Sequence, residues 1–374
     1  MHEHDGDSGL AETSSDDDEA GSGTGDVVAL VGTTTRVYAD CLLPNGALVA
    51  APAHLPFYPA TARDTMHCRP GLDASFAILG MATLGRDVRT PLLRWLVDRA
   101  AGFGDDGLLY RRYHLYGPSS DSTPDLLGTA LLLYAVCHDQ LGTMSPLAER
   151  ASRSLASALA VGWDAAQGTF RHYSTPGGVV RAAELSAVAS ALSTAGAVLG
   201  IQEWTRVADR VRPVADEAIE QTFQRPSFGD DADSSDESLF ALLSLGWPFG
   251  HKGNGLKATR AAERMMMERA GAELHNGERE HRINHTRAVR PAETFWLARA
   301  LAQASQQRDA LRYFNLGLAT ADASGHLPER ADQAGLSPSP RPYLMSHLLF
   351  LAAAEATGQL QRVPRSGYSG QRGP

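Results

Sequence analysis

Lysine is almost missing from this sequence: Lys252 and Lys257 are the only two in 374 residues, and arginine supplies the rest of the basic charge. Nowhere do basic residues cluster or form a stripe, which excludes nucleic-acid or anionic-membrane binding through bulk charge. Cysteine is scarce too. Cys41, Cys68 and Cys137 have neither the even count of a disulfide framework nor metal-type spacing, and are expected to be reduced, buried thiols. His54, His67, His172, His281, His285 and His347 form no short-range metal pattern, and there is no HExxH pair, so no metal and no cofactor is expected. "GHKGNG" (250–255) has neither the flanking strand nor the spacing of a phosphate-cradling loop. No basic start precedes an apolar stretch, and no run approaches 18 apolar residues, so no membrane insertion is expected and a cytoplasmic location is. A repeat of fixed period is also lacking, which favours a closed ring of helices over an open solenoid.

What is present is a chain with 43% hydrophobic residues, enough for a substantial core. Its net charge of −9 belongs to one end: residues 1–26 hold nine acidic and no lysine or arginine residues, leaving 34 acidic against 34 basic in the remainder. That tail is Gly/Ser-rich and poor in large apolar side chains, so it is expected to be disordered. Residues 27–60 read as a short β-hairpin segment, with apolar stretches on either side of Pro44-Asn45-Gly46. From about residue 71 to 357 apolar residues recur at spacings of three and four. Eleven helices are expected, at 72–85, 89–102, 124–141, 146–162, 182–200, 203–223, 236–246, 256–270, 291–305, 307–321 and 342–356. Connections alternate between short and long, the pattern of helical hairpins whose long loops gather at one end and carry function. Residues 358–374 are expected to form a flexible tail.

Four ordered stretches resemble glycoside hydrolase family 15, the glucoamylase-type enzymes. "ETFWLARALAQA" (293–304), "RDALRYF" (308–314), "GHLPER" (325–330) and "RPYLMSHLLFLAAA" (341–354) resemble its last two hairpins. "ATARDTMHCRPGLDASFAILGMATLG" (60–85) is similar to its Arg-Asp segment and "DSSDESLFALLSLGWPF" (233–249) to its Asp-x-Ser-Leu helix. The resemblance implies an all-α fold, an (α/α)6 toroid over residues 61–357. It implies inverting hydrolysis of an α-linked glucoside or short glycan, in which one carboxyl protonates the leaving oxygen and another activates water.

On that resemblance Glu329 is the base. Independently, Pro328 restrains the backbone before Glu329, which lies in one of the long loops. The acid is expected at Asp164 in "VGWDAAQGTFRHYS" (161–174), where the family carries Trp-Glu; Glu184 and the absence of an ordinary acid are the alternatives. Arg63 and Asp64 resemble the pair that holds hydroxyls of the terminal sugar, and Arg282 is a further candidate sugar contact. Tyr110, Tyr113 and Tyr116 form either sugar-stacking walls or a packed face. A carbohydrate is the expected partner. The lysine-poor composition also suits the glucoamylase-like proteins of archaeal surface-glycoprotein assembly, with glycosylation-pathway enzymes as partners. Two readings compete with hydrolysis. One is a sugar isomerase or epimerase, which would need facing histidines such as His172 and His347, and the other is a glycan-binding scaffold.

Overall fold

A computed structural model describes residues 22–52, 67–98, 107–115, 119–138, 143–171, 178–224, 236–250, 253–277, 289–331 and 339–362. Twelve α-helices lie among them. They are α1 (Ser22–Cys41), α2 (Ser75–Ala82), α3 (Arg89–Asp98), α4 (Leu126–Val136), α5 (Pro146–Gly162) and α6 (Gly178–Leu199), then α7 (Gln202–Gln224), α8 (Asp236–Gly246), α9 (Asn254–Gly277), α10 (Pro291–Gln303), α11 (Gln307–Leu318) and α12 (Leu344–Ala356). All eleven expected helices are present, the first as a π-helical turn (Pro70–Ala74) running into α2. Two small antiparallel sheets accompany them. One joins β1 (His67–Cys68), β2 (Tyr110–His114) and β3 (Ser119–Pro124), and the other pairs β4 (Trp163–Asp164) with β5 (Thr169–Phe170).

The expected β-hairpin at 27–60 is corrected by α1. Its valines and threonines favour strand by local preference, yet Val27, Leu30, Val31, Thr34, Tyr38 and Cys41 are buried at helical spacing and the helix packs on α12. Burying one helical stripe outweighs a propensity difference of under about 1 kcal/mol per residue. Among the described residues of that span, the turn remains. Leu42 and Leu48 form an isolated antiparallel bridge around Gly46, whose φ of +87° and approach to the Pro91 carbonyl leave no room for a side chain.

Two kinds of helix alternate along the chain. In α12 every residue from Leu344 to Ala354 is buried, and α2, α4 and α8 are buried almost as completely. By contrast α7 buries one stripe, Trp204, Val207, Ala208, Val211, Ala215, Ile219 and Thr222, and α5 and α11 do likewise. A helix apolar on all sides must be surrounded, whereas one with a single apolar face lies outside. The contacts follow: α2 packs on α4, α4 on α6, α6 on α8, α8 on α10, α10 on α12, and α12 on α2. Gly80 permits the last of these, because a Cβ there would lie 2.8 Å from the Leu348 carbonyl oxygen.

Of these helices α6, with 22 residues, is long and apolar enough to cross a membrane by composition alone, although 67% of its most apolar window is buried inside the protein. It packs on α4, α7 and α8, as a core helix does. Between the inner helices aromatic rings fill the space. Phe76 of α2 meets Trp296 of α10 edge-on at 4.7 Å between centroids, and the Trp296 indole N–H donates to the Trp247 carbonyl at 2.7 Å.

Candidate active site

A cleft in two adjoining parts opens at the N-terminal ends of the inner helices. Its larger part, about 310 Å³, is lined among others by Asp125, Val180, Glu184, Glu237 and Ser244. The smaller, about 110 Å³, takes in Arg290, Glu293, Glu329, Tyr343 and Met345. Arg69, Leu72, Asp236, Phe240 and Trp296 border both, so the two parts are continuous. Phe240 and Trp296 stack at 6.0 Å with their planes 23° apart, an apolar floor of the kind on which sugar rings pack.

Glu329 is exposed on a turn that is held at every step. Tyr343 N–H donates to the Leu327 carbonyl at 2.8 Å and Glu329 N–H to the Pro340 carbonyl at 3.0 Å. Ser346 Oγ donates to the Pro328 carbonyl at 2.7 Å, and Leu327 N–H donates to His347 Nε2 at 3.1 Å. Beyond it, Ala331 and Val289 exchange two backbone hydrogen bonds. A turn tied by several hydrogen bonds presents its carboxylate with little reorganisation.

Beside it lies a group that sequence reasoning did not single out. Arg69 Nη2 reaches Asp73 Oδ1 at 3.3 Å and the Tyr343 hydroxyl at 3.2 Å. Burial pushes the Asp73 carboxyl above the ordinary range while Arg69 opposes the rise. Burial likewise raises the Tyr343 phenol, Arg69 opposing and the Asp73 and Glu329 carboxylates adding to it. The guanidinium therefore sits between two fixed acceptors while lining both parts of the cleft. Arg290 makes a second such clamp, with Nη1 at 3.1 Å from Glu293 and 3.3 Å from Asp236.

Asp125 caps α4, accepting the Gly128 N–H at 2.7 Å. Its carboxylate fits a slot that two glycines make: a Cβ at Gly128 would lie 2.1 Å from Asp125 Oδ2, and one at Gly71 would lie 3.0 Å from it. Burial pushes this carboxyl up, against the Gly128 N–H. On the facing helix, Glu184 of α6 is 3% exposed and lines the larger part of the cleft.

Asp164 is placed differently. It lies in the β4–β5 hairpin, where Oδ1 accepts the N–H groups of Ala166 at 3.0 Å and Gln167 at 3.3 Å, and Arg171 stands 3.8 Å from Oδ2. It is not among the described residues that line either part of the cleft. Arg63, Asp64 and Arg282 lie outside the described residues, as do His172 and Tyr116. Tyr113 is buried, packs edge-on against Trp95 and accepts the Tyr110 N–H through its hydroxyl. The tyrosines of β2 thus make a packed face, while Arg111 and Arg112 of the same strand line the cleft. His347 is fully buried with both ring nitrogens engaged.

The unanticipated residues share one sequence signal. Arg69, Asp125, Asp236, Glu293 and Tyr343 all fall at the start of a helix of the inner set, immediately before it or in its first turn. A polar residue there reads as a cap or as a partner of the helix dipole, and only the convergence of several such ends marks a site.

No protein-family model matches the chain, and no curated protein matches it in sequence. The fold has counterparts among solved structures. A wild-type glycosidase superposes with a TM-score of 0.61 at 17% identity, over 91% of this chain and 99% of that one. A glutamate-to-alanine glycosidase variant in complex with glucose gives 0.56 at 16% identity, over 91% and 99%. D-mannose isomerase gives 0.54 at 12% identity, over 88% and 96%. At these identities the likeness is one of fold: a mainly helical chain with small hairpins, similar throughout to glycosidases.

Proposed function

We propose that the chain is a glycosidase of the glucoamylase-like type, built as a six-hairpin (α/α)6 toroid, that hydrolyses an α-linked glucoside or short glycan with inversion. The observation that carries this is that Glu329 and Glu184 line adjoining parts of one cleft, across the Phe240–Trp296 floor, in a fold similar to glycosidases over nine-tenths of the chain. Six buried helices that pack in succession, the last on the first, support the toroid.

In this reading Glu329 is the base that activates water, held ready by the turn around Pro328. Glu184 is the general acid in place of Asp164, whose carboxylate is occupied by its own turn. Inversion needs the two carboxyls on opposite sides of the bond, about 6.5–9.5 Å apart, with room for the water. Arg69 and Asp73 hold hydroxyls of the sugar, a cation and an acceptor-only carboxylate being suited to a polyol. Arg63, Asp64 and Arg282 would add contacts on the strength of the resemblance alone. A glucose complex of a structurally similar glycosidase variant supports a sugar ligand here. The isomerase reading draws on a fold neighbour too, but His347 has both ring nitrogens committed inside the protein.

The test is time-resolved NMR of anomeric protons with maltose, trehalose and short α-glucans. Release of the β-anomer from an α-linked substrate is expected. Glu329→Gln and Glu184→Gln are each expected to lower turnover by about 10²–10⁴-fold, and Asp164→Asn to leave it within about threefold of wild type. Full loss in Asp164→Asn with retention in Glu184→Gln would return the acid to Asp164.

A further inference from the structure

Helix α1 lies far from Glu329 in sequence, yet one of its side chains is joined to the Glu329 turn through a single buried ring. Thr34 Oγ1 lies 2.9 Å from His347 Nδ1, and the opposite ring nitrogen, Nε2, receives the Leu327 N–H at 3.1 Å. Thr34 and His347 are both fully buried.

These contacts leave one protonation state. A backbone N–H can only donate, so Nε2 must offer its lone pair, and the ring proton of a neutral histidine must then sit on Nδ1. Nδ1–H in turn needs an acceptor, which the Thr34 hydroxyl supplies. Burial depresses the basicity of His347 to a pKa of about 3, with His326 adding to the effect, so the neutral ring persists through the physiological range. Without the threonine oxygen, the protein would have to bury an unpaired Nδ1–H, or move the proton to Nε2 and set it against the Leu327 N–H. Either alternative leaves a buried N–H donor without an acceptor. Leu327 and Glu329 are separated only by Pro328, so the turn that carries the carboxylate answers directly to that amide.

We propose that Thr34 is a positioning residue for Glu329, fixing the Nδ1–H tautomer of His347 that anchors the Leu327-Pro328-Glu329 turn at the cleft. The inference rests on the reading of Glu329 as the base. It gives α1 a role that its packing on α12 alone would not require.

Protein labelled with [15N]His and [15N]Leu is compared as wild type, Thr34→Val and Thr34→Ser, with Thr34→Ala as a second removal of the hydroxyl should Thr34→Val fold poorly. Wild-type His347 is expected to show a protonated Nδ1 and an unprotonated, hydrogen-bonded Nε2. In Thr34→Val this signature and the Leu327 amide shift are both expected to change, and Thr34→Ser to restore them. With the anomeric NMR assay, kcat is expected to fall about 10- to 100-fold in Thr34→Val with KM within about twofold, because the base moves while the sugar contacts stay.

An unchanged His347 signature and Leu327 amide in Thr34→Val would overturn the proposal whatever the activity. Shifted signals with undiminished kcat would also overturn it, leaving the hydrolase reading intact. If wild-type protein turned over none of the panel, the hydrolase reading would fail, while coupled, serine-rescued shifts at His347 and Leu327 would still establish Thr34 as the brace of that turn.

Discussion

Arg69 and Tyr343, 274 residues apart in sequence, meet at 3.2 Å between Nη2 and the phenolic oxygen, and so tie the approach to α2 to the start of α12. The same nitrogen touches Asp73. One guanidinium thereby joins two inner helices at the cleft.

Removing the phenol oxygen in Tyr343→Phe deletes one partner of that guanidinium and leaves the ring in place. A loss of about 1–2 kcal/mol in urea unfolding is expected. With Arg69 less firmly aimed, KM for the sugar substrate should rise about three- to tenfold. An unchanged KM would place Arg69 outside the substrate contacts.

The approach of α2 to α12 can be tested at Gly80. Its Cβ would meet a backbone oxygen rather than a flexible side chain, so Gly80→Ala is expected to cost about 1–3 kcal/mol, outweighing the better helix propensity of alanine. Denaturant midpoints at a constant m-value measure it. A stabilised variant would mean that the two helices have room to part.

Acid sensitivity follows from His347. Its folded-state pKa of about 3 lies below the unfolded value of about 6.5, so between those values the unfolded chain binds more protons. The contribution to stability is complete above about pH 6.5 and is lost as pH falls toward 3, with a slope of at most about 1.4 kcal/mol per pH unit. His347→Gln, compared with wild type by urea unfolding between pH 7 and pH 4, is expected to show a flatter acid limb. Parallel limbs would refute the assignment.

The three thiols provide a check on the core. Cys41, Cys68 and Cys137 are all buried and free, and burial, with the Asp73 carboxylate adding to it, pushes Cys68 up to about 12. Native protein is expected to be inert to an aromatic disulfide reagent near neutral pH, and to titrate three thiols once denatured. Rapid modification of a native thiol would show that its surroundings open.

Local information sufficed wherever one periodicity decided the matter. The α5 and α8 spans, 146–162 and 236–246, emerge from apolar spacing with the bounds that the structure shows, since each carries its own start signal or a turn-rich flank. The 22–41 segment did not, because β-branched residues imitate a strand until α12 is there to cover one helical stripe. Glu329 stands out in the sequence because a proline and a flanking family-like motif surround it, and in the structure it lines the cleft.

The remainder of the site was not legible, for a physical reason. A cap such as Asp125 or an ion-paired Arg69 looks ordinary in its own neighbourhood. Each acquires meaning only when the inner helices bring their N-terminal ends together around one cleft. Trp163-Asp164, a motif-like pair, makes its side-chain contacts within its own hairpin. The sequence by itself determined eleven of the twelve helices described, α1 being the exception, through the period of their apolar residues. Only the tertiary structure decided which side chains line one cleft, because that depends on contacts between residues hundreds of positions apart.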